Sequence, residues 1–500
     1  MTTSLADLVD TTFQFTGESI TLGAAMHDGQ TLTSHFVGLP LSMINRHGLV
    51  AGATGTGKTK TLQHFIEQLS HAWVPVRCMD MKGDLSGLSQ PGVINDKIKE
   101  RYTQIWLEWQ PLTNVVEFFT LSGQPGVQVR STVSEMWPIL IAKVLQLNDT
   151  QASILAVIFK YCDDQWLLLI DLPDLKAVMT DISWPHQAIF ETSYGAVSQS
   201  SIAVIMRQIV VLEGQWWSVL FGEPSLEIDD IVRSPGGLGQ ISLLRLADIQ
   251  SQPQLFSTFM LWLMTEVYRV MPEEGDVSKP KLVIIVDEAH LLFAETSSEL
   301  LHQMETMIKL IRSKGVALRF CTQTPSDIPE SILGQLGTKI QHAIRVFTAK
   351  DAKSIKLIAE NFPHTDFYRL EEQLTALGTG QAMVVTLDEK WSPTPVVQTM
   401  MCAPGSRMDT ITDAELLERV GKSDLTSKYS RSVDTVSARE KLLSKTESLS
   451  ADPSPLPPAG KSSFETIIDH PIVKQVGRTL AREVTRGLLG MLGLWGTRRR

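Results

Sequence analysis

One octapeptide constrains this chain more than any other feature: Gly52-Ala53-Thr54-Gly55-Thr56-Gly57-Lys58-Thr59, set between two apolar runs of different period. Residues 47–51 form a short continuous apolar run of the kind that makes a buried strand. Residues 58–70 place Leu62, Phe65, Ile66 and Leu69 at helical spacing. A strand that turns through glycines directly into a helix aims the helix's unpaired N–H groups, and the positive end of its dipole, back into the turn. The glycines let further backbone amides curl inward without a Cβ in the way. The product is a cradle for phosphate groups, with Lys58 reaching the outer phosphates and the Thr59 hydroxyl open to Mg²⁺. Lys60, in the first helical turn, is grouped with the cradle. At average residue frequencies a chain of this length meets the whole pattern by chance about twice in a hundred. The strand and helix on either side weaken the alternative of an ordinary Gly-rich turn further.

A second apolar run, residues 282–286, ends in Asp287 and Glu288. A buried parallel strand delivers such a pair to the carboxyl edge of a sheet, where the Gly-rich turn also opens. Downstream of such a turn, Asp287 is expected to hold Mg²⁺ and Glu288 to act as general base on a water. Two further strand ends carry polar groups to the same edge. Asp80, in Asp80-Met81-Lys82-Gly83-Asp84, either faces the metal or the water, or caps a tight turn; chemistry alone weighs these evenly. Gln323, in Cys321-Thr322-Gln323-Thr324-Pro325, is either a buried amide that touches a terminal phosphate or a strand cap. Arg46, Arg312 and Arg345 are the arginines placed to add a cation to a transferred phosphoryl group, although any one alone reads better as a surface or helix-end arginine. His290 completes the letters DEAH, but no second set of motifs accompanies it, so a local hydrogen-bonding role is expected.

Apolar runs that read as strands recur at residues 74–80, 239–246, 282–287, 316–322, 338–347 and 381–387, with helical patterns between them, notably 297–312 and 350–359. This alternation predicts an α/β fold with a mainly parallel sheet and right-handed crossovers. Residues 90–235 break the rhythm and read as a helical insertion, with helices over 135–147, 150–161 and 200–212. Residues 1–45 read as short strands and turns ahead of an ATPase-type domain spanning 46–400. A polar helix and a Pro/Ser linker occupy 401–463, and a basic amphipathic helix 464–500, with Val473, Val476, Leu480, Val484 and Leu488 on one stripe. The net charge of −10 argues against a protein coated in basic patches, so a nucleic-acid footprint has to be local. Lys97, Lys99 and Arg101 are suggestive of one, though a solvated charge run explains them as well. Cys78, Cys162, Cys321 and Cys402 form no metal-binding or disulfide pattern; with no signal sequence or membrane span in view, a cytoplasmic location is expected and membrane association is not.

Taken together, GATGTGKT, DMKGD, VDEAH and CTQTP, in this order and with a long insertion, resemble the HerA/FtsK branch of P-loop ATPases, and more closely the HerA-like C-terminal-domain proteins. The resemblance covers about residues 40–400. It implies a RecA-like core that uses ATP and Mg²⁺, a homo-oligomeric (hexameric) ring with sites between subunits, and double-stranded DNA as the substrate. A protein partner in place of DNA is the alternative. It also implies that Arg312 is an arginine finger given to the neighbouring ATP, that Arg46 helps at the same interface, and that Asp80 lies in the active site; Arg345 is a weaker transfer. One departure stands out: about 45 residues precede the P-loop, too few for the β-barrel of HerA translocases.

Overall fold

A computed structural model describes residues 4–451 apart from 215, 216, 295, 346–348, 432 and 434. Twelve strands form one sheet: β1 (Ser19–His27), β2 (Gln30–Pro40), β3 (Gly48–Ala51), β4 (Val76–Asp80), β5 (Val116–Thr120), β6 (Val127–Gln128), β7 (Ile241–Arg245), β8 (Leu282–Val286), β9 (Val316–Thr322), β10 (Thr338–His342), β11 (Gln381–Val385) and β12 (Val397–Met401). Their spatial order is β2-β1-β12-β11-β10-β3-β9-β8-β4-β7-β5-β6. From β10 to β6 every pairing is parallel. From β10 back to β2 every pairing is antiparallel.

The parallel strands are buried on both faces, which is why they read as unbroken apolar runs rather than alternating ones. All five residues of β8, Leu-Val-Ile-Ile-Val, are buried. Alternate residues feed two cores: Leu282, Ile284 and Val286 face one, Val283 and Ile285 the other. The first core is closed by the helices of the insertion, together with Pro253–Val270 and Ser298–Ile311. The second is closed by Lys58–His71, whose Leu62, Phe65, Ile66 and Leu69 all lie in it, and by Ala349–Glu360 and Leu370–Ala376.

The ends of the chain differ in placement from the sequence reading. Residues 19–40 do not stand ahead of the sheet; β1 pairs with β12, so the amino-terminal hairpin is its antiparallel edge. The stretch 90–235 holds the helices Asp96–Ile105, Pro138–Val144, Asp149–Asp164, Leu172–Ser183, Gln187–Tyr194 and Gln199–Glu213, but it also supplies β5 and β6 at the opposite edge. Strand 338–347 stops at His342. Beyond β12 the helices Asp413–Lys422, Asp424–Ser430 and Ala438–Ala451 follow. Residues 452–500, with the Pro/Ser linker and the amphipathic tail, lie outside the described residues. Among the described residues no single helix is long and apolar enough to cross a membrane.

The segment after β12 is fastened to the helix Lys58–His71. The buried Glu67 carboxylate accepts the N–H groups of Gly405 (2.6 Å) and Ser406 (3.0 Å), and Lys60 Nζ donates to the Met408 carbonyl. His64 Nδ1 stands 3.4 Å from Glu67 Oε1, and its Nε2 is 2.8 Å from the Thr21 carbonyl. Burial alone would depress the His64 pKa. Hydrogen bonds to Cys402 and Glu67 outweigh it and carry the value up to about 10.

Candidate nucleotide-binding and hydrolytic site

The chain leaves β3 through Gly52 at φ 152° and enters the helix Lys58–His71 through Gly57 at φ 110°. Neither position admits a side chain. A Cβ on Gly52 would stand 2.5 Å from His342 Cβ, and one on Gly57 3.0 Å from the Gly380 nitrogen. The loop is clamped from the neighbouring strands: Ala53 N–H donates to the Ala343 carbonyl (2.9 Å), and Gly380 N–H donates to the Thr56 carbonyl (2.8 Å). Thr54 and Gly55 remain exposed at the tip. Lys58 Nζ lies across the loop on the carbonyls of Gly52 (2.5 Å) and Ala53 (3.2 Å). The Thr59 hydroxyl donates to Asp84 Oδ2 at 3.1 Å.

Sheet topology brings the carboxylates to this loop. β9 lies between β3 and β8, and β4 is on the far side of β8. Because all four run parallel, their carboxyl ends open on one edge. Met79 is level with Val286, so Asp80 and Asp287 emerge side by side. With Asp84, carried on the turn after β4, they place carboxylate oxygens within 4.8 Å of one another. Asp80 accepts the Gly83 N–H (2.7 Å) and the Leu85 N–H (3.3 Å), so it caps the turn and faces the cluster at once. Burial, and after it the charges of Asp84 and Asp287, raise the Asp80 carboxyl to about 7; burial, then Asp84 and Glu288, raise Asp287 to about 7 as well. Three acids crowded this closely are relieved by a proton or a cation. An all-oxygen set with a threonine hydroxyl beside it fits Mg²⁺.

Glu288 follows Asp287 with φ +48°, a left-handed conformation seldom adopted by residues with a Cβ. Its Oε1 takes a hydrogen bond from Lys82 Nζ, and its Oε2 stands 3.2 Å from His290 Nδ1. The side chain is buried against the edge that carries the three aspartates.

The family model described as "Helicase HerA-like C-terminal" matches residues 26–454. The chain belongs to this HerA-like family. It is 30% identical over 151 residues to the DNA double-strand break repair helicase HerA of Sulfurisphaera tokodaii; the match covers 30% of this chain and 29% of that relative. Among solved structures it resembles the bacterial conjugative coupling protein TrwB, with a TM-score of 0.51, 15% identity, and coverage of 82% of this chain and 95% of the other. It also resembles the plasmid coupling protein TrwB in complex with a non-hydrolysable GTP analogue, with a TM-score of 0.50, 15% identity, and coverage of 80% and 100%. The fold is therefore the RecA-like α/β core of P-loop NTPases.

In this HerA-like chain several residues singled out from sequence lie away from the centre of the site. Gln323 is exposed rather than a buried amide. The end of β9 is capped instead by Asp327, whose Oδ2 accepts from the Thr322 hydroxyl (2.6 Å) and the Thr324 N–H (3.2 Å). Lys60 directs its ammonium to Met408 and Gln63. Arg345 lies beyond the end of β10, exposed, at the same edge as the P-loop. Arg46 and Arg312 sit at the opposite edge, where β3 and β9 begin. They line a cavity of about 750 Å³ together with Lys309, Lys339 and Trp391. Arg46 pairs with Asp276 (3.1 Å) and lies 3.9 Å over the Trp391 ring. Burial, then the Arg312 charge, lowers its pKa. Arg101 is not a free surface charge: its guanidinium donates to the carbonyls of Gly380 (3.0 Å), Met401 (3.1 Å) and Thr379 (2.9 Å), bracing the glycine that clamps the P-loop.

Sequence reasoning passed over Lys82 and His342, and it weighed the acidic residues of 80–84 together without singling out Asp84. Asp84 and Lys82 stand inside a quoted motif and look like turn residues. His342 gives no local signal, because only the pairing of β10 with β3 brings it under Gly52.

Proposed function

We propose that this HerA-like chain is a Mg²⁺-dependent ATPase that works as a ring-forming motor on double-stranded DNA, in the cytoplasm. One observation carries the reading. The phosphate cradle and the carboxylates open on one edge of the sheet, while Arg46 and Arg312 stand on the other, beyond the far end of β3. Arginines so placed serve the cradle of a neighbouring copy, and repetition of that contact closes into a ring.

In this reading Lys58 and the amides of residues 52–59 bind the triphosphate. Thr59, Asp287, Asp80 and Asp84 would hold Mg²⁺, which would supply positive charge to the phosphate oxygens. Glu288 takes a proton from the attacking water. The water oxygen bonds to the γ-phosphorus as the bond from that phosphorus to the β–γ bridging oxygen breaks, and ADP leaves with the electron pair. Arg312 of a neighbouring copy stabilises the charge that develops, and Arg46 supports it.

The test is ATP turnover with and without duplex DNA, at low and moderate salt, with the mass of the ATP-bound assembly measured on the same sample. Turnover indifferent to DNA removes the DNA part of the proposal; a monomer that hydrolyses ATP at full rate removes the ring. The net charge of −10 favours a second reading, in which the motor acts on a protein partner. Nucleotide-dependent co-purification of one protein, in the absence of DNA, distinguishes it.

A further inference from the structure

Glu288 has one carboxylate oxygen bound by Lys82 and the other shut away from solvent. Lys82, from the turn after β4, donates to Oε1, and His290 Nδ1 stands 3.2 Å from Oε2. Oε2 is buried without a hydrogen-bond partner among the described residues, so Oε1 is the oxygen left to meet a water, and the Lys82 ammonium occupies it. The two partners differ in their hold on the surroundings. The Glu288 side chain is 7% exposed, whereas that of Lys82 is 46% exposed. The lysine therefore reaches in from solvent over a sealed carboxylate, on a flexible four-carbon stem. The other charged groups in the neighbourhood are Asp287 and Asp84, which also attract Lys82, Asp80 in the same cluster, and Lys58 on the P-loop. The carboxylate cluster is shared with Thr59 through Asp84, so the turn that carries Lys82 touches the P-loop helix as well.

We infer that Lys82 is a positioning residue that holds Glu288 out of action and lets it go when a nucleoside triphosphate occupies residues 52–59. This rests on the ATPase reading above. A polyphosphate brings several negative charges to the edge where the lysine already lies. One half-exposed ammonium then has a stronger anion to face than a single carboxylate. Moving it frees Oε1 and leaves the backbone, with Glu288 at its left-handed φ, where it is. The residue thus couples occupation of the cradle to the readiness of the base, so that an unfilled site does not carry an active one.

The full-length chain, K82M, E288Q and the double variant form a thermodynamic cycle read by thermal unfolding, each with Mg²⁺, with and without a non-hydrolysable ATP analogue. Without nucleotide, the double variant should lose less than the two single losses combined, by roughly 2 °C in Tm. With the analogue bound, this coupling should vanish. In turnover assays K82M should raise kcat with KM unchanged, and K82R should behave as the parent chain. Coupling of equal size with and without the analogue overturns the proposal in favour of a fixed ion pair. Coupling absent in both conditions overturns it too. A fall in kcat for K82M, not restored in K82R, makes the lysine part of the phosphate chemistry and overturns its role as a restraint. If the analogue raises the Tm of none of the four proteins, the nucleotide reading itself fails and the release step falls with it.

Discussion

The Thr59 hydroxyl donates to Asp84 Oδ2 at 3.1 Å, which joins the first turn of the P-loop helix to the carboxylate cluster formed with Asp80 and Asp287. Asp84 therefore has two opposite effects. It repels its two buried neighbours, and it completes the oxygen set for a cation.

Asp84→Asn separates these effects. Removing the charge should raise the Tm of the protein without Mg²⁺ by ~1 °C or more, because Asp80 and Asp287 lose a like-charged neighbour. The same change should weaken Mg²⁺-dependent nucleotide binding, on the order of tenfold. Calorimetric titration and thermal unfolding on one preparation check both signs.

His64 predicts a pH dependence. Its pKa in the folded chain is raised to about 10 by Cys402 and Glu67, against an unfolded value of about 6.5. A raised basic pKa gives stability that is complete below about 6.5 and declines as pH climbs through about 10, with a slope for one proton of at most about 1.4 kcal/mol per pH unit. His64→Gln should be less stable than the parent at neutral pH and should lack this alkaline decline. Denaturant unfolding from pH 6 to pH 10 checks it; parallel curves for the two proteins contradict the assignment.

Two of the three glycines of the P-loop, Gly52 and Gly55, differ in what surrounds them. A Cβ on Gly52 meets His342 Cβ at 2.5 Å, while one on Gly55 meets nothing within 4 Å. Both have positive φ. Gly55→Ala should cost about 1 kcal/mol, the backbone strain alone. Gly52→Ala should cost roughly 2–4 kcal/mol, because packing resists as well. Equal losses in urea unfolding would show that the His342 contact yields.

Arg312→Ala should bind ATP and turn it over slowly, and Glu288→Gln should bind and not hydrolyse. Mixed assemblies of the two inactive proteins should recover part of the activity, since some interfaces pair an intact Glu288 with an intact Arg312. Turnover measured across mixing ratios checks it; mixtures that stay at the level of the separate proteins place the arginine's role outside a shared site.

Much of the core was legible in residues 47–59 and 282–288 because local and global signals agree there. Continuous apolar runs mark strands buried on both faces, and glycines mark a turn that tolerates no side chain. The edges of the sheet were not legible for the same physical reason in reverse. β6 is two residues long, β5 lies in a stretch whose other elements are mostly helices, and the hairpin of β1 and β2 gains its place only through β12, nearly four hundred residues away in sequence. In the site, Asp287, Glu288 and Asp80 come from strand ends and show in the sequence. Lys82 and Asp84 come from a turn whose composition is explained equally well by backbone geometry. Gln323 misled because a strand-end glutamine looks buried until Asp327, further along the chain, takes over the capping.

The helix Lys58–His71 bears the P-loop lysine at one end and, along its length, holds the segment after β12 through Lys60 and Glu67. It is thus a mechanical rod fixed at two points. A load applied downstream of Met401, by a neighbouring molecule or by the remainder of the chain, arrives at the P-loop turn, residues 52–57, without passing through the sheet.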